Sequence, residues 1–319
     1  MNDTLYPCEK SFLMGASGYL FLMSLGIKAA VKAPKFRYVR PQSLSEAISL
    51  LSEFADEARI LAGGQSLIPT LNMRLSQPEI VIDINKLDEL KGISLETDHV
   101  RIGAMTRHVE VMGSALVNEN LPLIAEALPY VAHVAVRNRG TFGGSIALAD
   151  PAAEMPACIL AMQAEIVLEG PKGRRKVKAD DFFYGLYDTA MRPDEILIEV
   201  LLPLAKSGEV FSFMELSRRK GDFAQAGVAC RALISAKTFE KIRLVYFGSE
   251  LKPTVGKNVM TALEGQTWSE NIDEKIFSEL EDDLDPIDNL HGSAALKMHW
   301  QKVLTKRAIA AAVKKTELV

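Results

Sequence analysis

The stretch ARILAGGQSLIPTLNMRL, residues 58–75, poses the question on which the fold turns. Its apolar run Ile60-Leu61-Ala62 stops at Gly63-Gly64-Gln65-Ser66, then Leu67 and Ile68 lead to Pro69. Glycine reaches positive φ without steric cost, so a tight turn is one reading. The other is a loop whose backbone N–H groups must come close to an anion such as a phosphate. A single Gly-Gly pair favours the turn, and the rest of the chain has to decide.

The flanks make this run a strand in an α/β unit. SLSEAISLL carries Ser43 and Glu46 at capping-box spacing, and Leu44, Ala47, Ile48 and Leu51 follow the helical period. Residues 58–62 then read as a strand, and EIVIDI, residues 79–84, as a buried β-branched one. The glycine loop therefore falls at the C-terminal end of a strand, where open α/β sheets bind ligands. Beyond it a hairpin is expected over residues 93–96 and 100–103, and a helix with Leu121, Ile124 and Leu128 on one face. Strands follow at residues 164–169 and 194–203, with PKGRR turning the first one back. LAKSGE, residues 204–209, reads as a boundary. Past it come three strand-like runs, at 210–216, 227–234 and 242–247, and a long closing helix striped by Leu296, Trp300, Val303, Leu304 and Ile309.

A second glycine cluster shifts the balance on the first. GTFGGS, residues 140–145, again combines glycines with short hydroxyl side chains. Two such loops facing one another across a cleft could bind both phosphates of a pyrophosphate through N–H and O–H donors.

Other chemistries are excluded or left without support. No G-x-G-x-x-G follows a strand and no G-x-x-x-x-G-K-[ST] exists, so neither a Rossmann dinucleotide site nor a P-loop is indicated. Three separated cysteines, Cys8, Cys158 and Cys230, cannot form a disulfide framework or a Cys₄ iron–sulfur site. The five histidines lack zinc-ligand spacing. A net charge of −4 gives no footprint for nucleic acid. The apolar segment at residues 12–33 is too interrupted by Gly and Lys28 for a membrane span. It reads either as a signal peptide behind Lys10 or as sequence ahead of a true start at Met14 or Met23, and the cytosolic look of the remainder favours the later start.

AGGQSLIPTLNMRLSQPEIVIDI and VRNRGTFGGSIALADPAAEMPA closely resemble the FAD-binding medium subunit of molybdenum hydroxylases, the family of the carbon monoxide dehydrogenase medium subunit and the xanthine dehydrogenase FAD-binding subunit. SRRKGDFAQAGVA, residues 217–229, and VLTKRA, residues 303–308, match further family segments in the same order. The resemblance implies an α+β protein with the FAD-binding fold of the vanillyl-alcohol oxidase type. Two α/β subdomains, at 35–90 and 91–206, would be followed by a C-terminal sheet-plus-helix flavoprotein domain at 207–319. Residues 1–34 would form an extension outside it.

Residue roles follow from the resemblance. Ile60, Leu61, Ala62, Gly63, Gly64, Gln65, Ser66 and Leu67 would wrap the FAD pyrophosphate, with side-chain bonds from Gln65 and Ser66. Thr141, Phe142, Gly143, Gly144 and Ser145 would hold it from the other side. Glu154 would meet hydroxyls near the ribose or adenine end, Leu197 would pack on the cofactor, and Asp222 and Phe223 would lie in the loop approaching the isoalloxazine ring. No catalytic acid, base or nucleophile is implied. FAD would be bound non-covalently, with the molybdenum cofactor and [2Fe–2S] clusters only in partner subunits. Those partners would be an iron–sulfur small subunit and a molybdopterin large subunit, in a dimer of heterotrimers that passes electrons to an external acceptor. The complex would be cytoplasmic, membrane-associated only through the assembly. The alternative is a self-sufficient flavin oxidase or dehydrogenase of the same fold, acting on a small alcohol or amine. A scaffold that has lost its flavin is a third reading, against which the intact glycine pairs argue.

Overall fold

The computed structural model describes residues 32–269 and 274–316. The readings made above for Cys8 and for the alternative starts lie outside the described residues. These residues fall into two compact units: residues 32–35 with Leu67–Gln77, and Phe36–Ser66 with the chain from Pro78 onward.

The larger unit opens with three short strands. β1 (Arg37–Val39), β2 (Ala58–Leu61) and β3 (Ile80–Asp83) form a parallel sheet in the order β1-β3-β2. Helix α1 (Leu44–Phe54) connects β1 to β2. Its N-cap is Ser43, whose hydroxyl accepts from the Glu46 N–H, while the Glu46 carboxylate accepts from the Gln42 N–H at 2.7 Å. The four expected residues Leu44, Ala47, Ile48 and Leu51 are the buried ones. All four residues of β3 are buried, as a central parallel strand requires.

In the smaller unit α2 (Leu67–Asn72) buries Leu71 and exposes Ile68; Arg74 beyond it, at φ 58°, donates from Nε to the Lys32 carbonyl at 3.3 Å.

The second sheet of the larger unit is antiparallel. β4 (Ile93–Leu95) and β5 (His99–Gly103) form the expected hairpin. The chain then makes helices α3 (His108–Met112), α4 (Ala115–Asn120), α5 (Pro122–Ala127), α6 (Val134–Arg137), α7 (Phe142–Leu148) and α8 (Glu154–Ala161). β6 (Glu165–Gly170) and β7 (Gly173–Lys178) form a hairpin turning at Pro171-Lys172, and a small hairpin of β8 (Phe183–Gly185) and β9 (Asp188–Thr189) leads to β10 (Ile196–Pro203). The strand order is β4-β5-β10-β6-β7. Both faces of this sheet are covered. Ile166, Leu168 and Leu197 face the core formed with the helices, whereas Val167, Ile196 and Ile198 face the core shared with β3 and α1. A bulge between Leu197 and Glu199 resets the alternation, so Val200 and Leu202 return to the helix side.

The third sheet, β11 (Glu209–Leu216), β12 (Ala226–Ser235), β13 (Thr238–Phe247) and β14 (Thr254–Val255), is antiparallel in that order. One face adds Phe211, Phe213, Ala229, Val245 and Phe247 to the helix-side core. The other is covered by α9 (Lys257–Leu263), α10 (Leu280–Asp283) and α11 (Ala294–Thr316). The stripe expected on α11 is only half right. Leu304 and Ile309 are buried, but Leu296 is exposed and Trp300 and Val303 are half-buried. The buried positions ahead of Leu304 are Lys297 and Gln301, with Thr305 next to them. Their side chains are hydrogen-bonded: Lys297 Nζ donates to the Ile287 carbonyl at 2.8 Å, Gln301 Nε2 donates to Phe247 O and Ser249 Oγ while its Oε1 has no partner among the described residues, and Thr305 Oγ1 lies within hydrogen-bond distance of Tyr246 OH and Gln301 O. No described helix is long and apolar enough to cross a membrane.

Candidate functional site

The parallel pairing of β2 with β3 places Asp83 and the turn after it beside the start of the first glycine loop. Asn85 ties the two together. Its Nδ2 donates to the carbonyls of Leu61 (3.3 Å) and Ala62 (2.8 Å) and to Asp83 Oδ1 (2.6 Å), and its N–H also reaches Asp83 Oδ1 at 2.9 Å. Asp83 is buried and receives the Tyr38 hydroxyl and, on Oδ2, Arg40 Nε and Nη2 at 3.2 and 3.1 Å. Burial acts to raise its pKa, but the hydrogen bonds from Tyr38, Asn85 and Arg40 together hold it below the usual carboxylate value.

These bonds fix the carbonyls at the loop's entry. The N–H groups of Gly63, Gly64 and Gln65 take no partner among the described residues. Gln65 folds its side chain back, Nε2 donating to the Gly63 carbonyl at 3.1 Å. Gly64 sits at φ +73°, a conformation that favours glycine. Ser66 ends the loop in the same unit, whereas Leu67 begins α2 in the other.

The second loop is built differently. Thr141 is the N-cap of α7, its Oγ1 accepting from the Gly144 N–H at 3.1 Å. The N–H groups of Phe142 and Gly143 donate to Thr106 O and Ala104 O, both at 2.9 Å. The first-turn donors of α7 are thus taken up inside the protein. Phe142 is a core residue and Ser145 is half-buried.

The structure brings the two loops into contact. A Cβ on Gly63 would stand 2.5 Å from Arg139 O and 2.7 Å from Gly140 Cα. One on Gly144 would lie 2.6 Å from Thr141 Oγ1 and 3.7 Å from Ala62 Cβ, and one on Gly143 would lie 2.5 Å from Ala104 Cβ. Close approach of neighbouring backbone at Gly63 and Gly143, and of the Thr141 hydroxyl at Gly144, explains these glycines more than turn geometry.

Next to the second loop begins a group of buried and half-buried ionisable residues. His108 packs under Gly140, its Cδ2 3.0 Å from where a Cβ would be, and its Nδ1 has no partner among the described residues. Burial, with the nearby Arg137 charge, pushes its pKa down to about 4. Arg137 donates from Nη1 to Val131 O (2.8 Å) and Ala132 O (2.6 Å), leaving Nε without a partner among the described residues. Arg137 is half-buried. Glu154 heads α8 and is buried. Burial pushes its pKa up to about 8, with Glu215 and Asp150 adding to the effect and a backbone N–H and Arg137 opposing it. Glu215, near the end of β11, has both carboxylate oxygens buried without a well-formed hydrogen bond among the described residues; burial pushes it up to about 7, the nearby Ser217 hydroxyl opposing the shift.

The loop after β11 joins this end of the molecule. Gly221, at φ +89°, lies so close to the Ala132 carbonyl that a Cβ would sit 2.7 Å from its oxygen. Lys220 Nζ stands 5.8 Å over the Tyr130 ring. Asp222 is exposed and Phe223 is 74% exposed, so Phe223 is not a core residue. Leu197 is a core residue, sharing the helix-side cluster with Phe142 and Ile146 of α7. Cys158 and Cys230 are buried, and His133 caps the start of α6 without a side-chain capping bond.

Four residues escaped the sequence reading: Asn85, Arg107, His108 and Glu215. The Arg107 guanidinium reaches both loops, Nη2 donating to Asn85 Oδ1 and Nη1 to the Arg139 carbonyl. Asn85 follows a β-branched strand by two residues, which is the only signal for it; Arg107 and His108 look like an ordinary helix start.

Residues 34–205 match the family described as the FAD binding domain in molybdopterin dehydrogenase, and residues 211–312 match the CO dehydrogenase flavoprotein C-terminal domain. The chain is 38% identical over 281 residues to the carbon monoxide dehydrogenase medium chain of Hydrogenophaga pseudoflava, covering 88% of this chain and 97% of that one. It is 36% identical to the glyceraldehyde dehydrogenase medium chain of Sulfolobus acidocaldarius, over 86% of this chain and 97% of that one. Among solved structures, quinoline 2-oxidoreductase from Pseudomonas putida 86 superposes with a TM-score of 0.85 at 33% identity, covering 89% of this chain and 99% of that one.

Proposed function

Because this chain belongs to the family of FAD-binding medium subunits of molybdenum hydroxylases, we propose that it is the electron-transfer subunit of such a complex, taking electrons from a [2Fe–2S] subunit and delivering them to an external acceptor. The chain is an oxidoreductase subunit that binds FAD, and the molybdenum cofactor and iron–sulfur clusters reside in other subunits. Bound FAD would supply the capacity to take up and release electrons singly or in pairs.

The observation that carries this reading is the pair of touching glycine loops, one of them with N–H groups, those of Gly63, Gly64 and Gln65, that take no partner among the described residues. Those groups suit a pyrophosphate held at short range by backbone dipoles. In the proposal Ala62 to Ser66 bind the phosphates, and Gly143 and Gly144 keep the second loop low enough to close over them. Thr141 serves as the cap that holds that loop in shape, because its hydroxyl is already engaged. In the proposal Glu154 and Glu215, whose carboxyl oxygens are buried, accept from cofactor hydroxyl or amino groups, and those of Glu215 make no well-formed hydrogen bond among the described residues. Asp222 and Phe223 stand at the exposed lip, where the reactive ring would meet a partner. Leu67 is proposed as a pyrophosphate-loop residue, and Leu197 as packing on the cofactor.

The relatives named as medium chains imply partner chains, and the proposal extends this to a cytoplasmic dimer of heterotrimers with an iron–sulfur small subunit and a molybdopterin large subunit. The test is affinity purification of the tagged full chain from its native cell, followed by mass spectrometry of the partners and molybdenum and iron assays. The proposal expects two stoichiometric partners, with molybdenum, iron and FAD in the assembly. A flavin-loaded chain without partners or metal would favour the self-sufficient oxidase instead.

A further inference from the structure

Arg107 occupies an unusual position. It is half-buried, and one guanidinium touches both loops: Nη2 on Asn85 Oδ1 and Nη1 on the Arg139 carbonyl. Asn85 in turn holds the carbonyls of Leu61 and Ala62, and Arg139 immediately precedes Gly140. A continuous chain of hydrogen bonds therefore runs from the entry of the first loop to the entry of the second. It is anchored below by Asp83, which binds Asn85 through N and Nδ2 and is itself fixed by Tyr38 and Arg40. The anchor is rigid because the carboxylate is buried and several donors converge on it.

The acceptors of Arg107 in this chain are both neutral. Among the described residues it makes no ion pair within contact distance, although Glu110 and Asp83 lie near enough to be felt. Burial, with the neighbouring Arg139 charge, lowers its pKa, yet an arginine keeps its proton. Its positive charge thus stands, without a contact ion pair among the described residues, between two loops that the reading above assigns to a pyrophosphate.

We propose that Arg107 is a positioning residue for the dinucleotide: its fork, acting through Asn85 and the Arg139 carbonyl, sets the separation of the two glycine loops and so the affinity for the pyrophosphate. This rests on the assignment of FAD to these loops and adds to it the element that holds them in register. Lysine cannot replace the fork, because one ammonium on a flexible stem does not hold two divergent acceptors in fixed geometry.

The test uses the full chain stripped of flavin. Wild type, Arg107→Lys, Arg107→Met, Asn85→Ala and the Asn85→Ala/Arg107→Met double variant are titrated with FAD by flavin fluorescence. The melting temperature of each apo-protein is measured alongside. The proposal expects both Arg107 variants to weaken FAD binding by about tenfold or more, Lys failing to rescue. It expects the double variant to lose clearly less than the two single losses combined, because both residues act in one chain. It also expects apo-protein melting to change little, since the bonds lie at a loop junction. Affinity of Arg107→Lys equal to wild type, or losses that simply add in the double variant, would overturn the clamp while leaving FAD binding intact. Wild type that binds no FAD would overturn the assignment beneath it.

Discussion

Gly63→Ala is the smallest change that separates a glycine needed for loop packing from one needed only for a turn. The added Cβ would stand 2.5 Å from Arg139 O and 2.7 Å from Gly140 Cα. Ordinary contact begins near 3.4 Å, so the loops must part by roughly 0.7–0.9 Å, and the obstructing atoms are backbone that cannot swing aside. Overpacking of this kind costs about 1–3 kcal/mol, and two backbone obstacles put this site toward the upper end. Set against a cofactor gripped between the loops, that cost corresponds to roughly ten- to hundredfold weaker FAD binding. If the strain is relieved in the apo-protein by opening the loops, little of it appears as lost stability. Gly185→Ala is the control, because nothing lies within 4 Å of its Cβ position and its φ is not positive. The assay is FAD titration of deflavinated protein with apo-protein melting beside it. Gly63→Ala binding FAD as tightly as wild type and as Gly185→Ala would refute the reasoning, because the loops would then tolerate separation without consequence to the ligand.

Further outcomes follow from the buried polar groups. Glu154, pushed up to about 8, is protonated in the folded chain over a pH range where it ionises when unfolded. Its contribution is therefore present at low pH and lost as pH rises from about 4.5 toward 8. Glu154→Gln should accordingly raise apo-protein melting at pH 8 more than at pH 5, and an equal shift at both would contradict the assignment. Gln301→Leu should destabilise by about 1–3 kcal/mol in urea unfolding, because Phe247 O and Ser249 Oγ lose their donor; a neutral result would mean that the α11 contact relaxes freely. Cys158 and Cys230 are fully buried and burial raises both thiols. Mass mapping after brief alkylation should find them modified only in denatured protein, and rapid native labelling of either would contradict the packing.

How much was legible in the sequence depended on whether the signal was local. β3 and β12 announced themselves because buried strands need runs of apolar and β-branched residues. The α1 cap could be read because both partners lie within four residues. The glycine clusters pointed to close approach, but the identity of what they approach came only from the fold: Gly63 meets Arg139 and Gly140 from far along the chain. The same distance hid Arg107, whose partners Asn85 and Arg139 are 22 and 32 residues away. The phase of α11 was misjudged for a different reason. Its apolar residues mark a helical stripe, but Lys297, Gln301 and Thr305 satisfy carbonyls and hydroxyls exposed by the end of β13 and the turns beyond it. Polar residues can thus occupy the buried face without breaking it. Arg137, with two loop carbonyls to satisfy, is drawn half-buried into the protein on the same logic.

The central claim is that this chain carries electrons on FAD and leaves substrate oxidation to other subunits. The direct measurement is anaerobic rapid mixing that follows flavin absorbance in the isolated FAD-loaded chain and in the purified complex. The substrates are a panel of carbon monoxide, aldehydes, N-heterocycles, and small alcohols and amines. The account predicts no bleaching of the isolated chain by any of them, and bleaching of the complex by at least one. Bleaching of the isolated chain by a small alcohol or amine, at a rate matching turnover, would contradict it and establish the self-sufficient oxidase in its place.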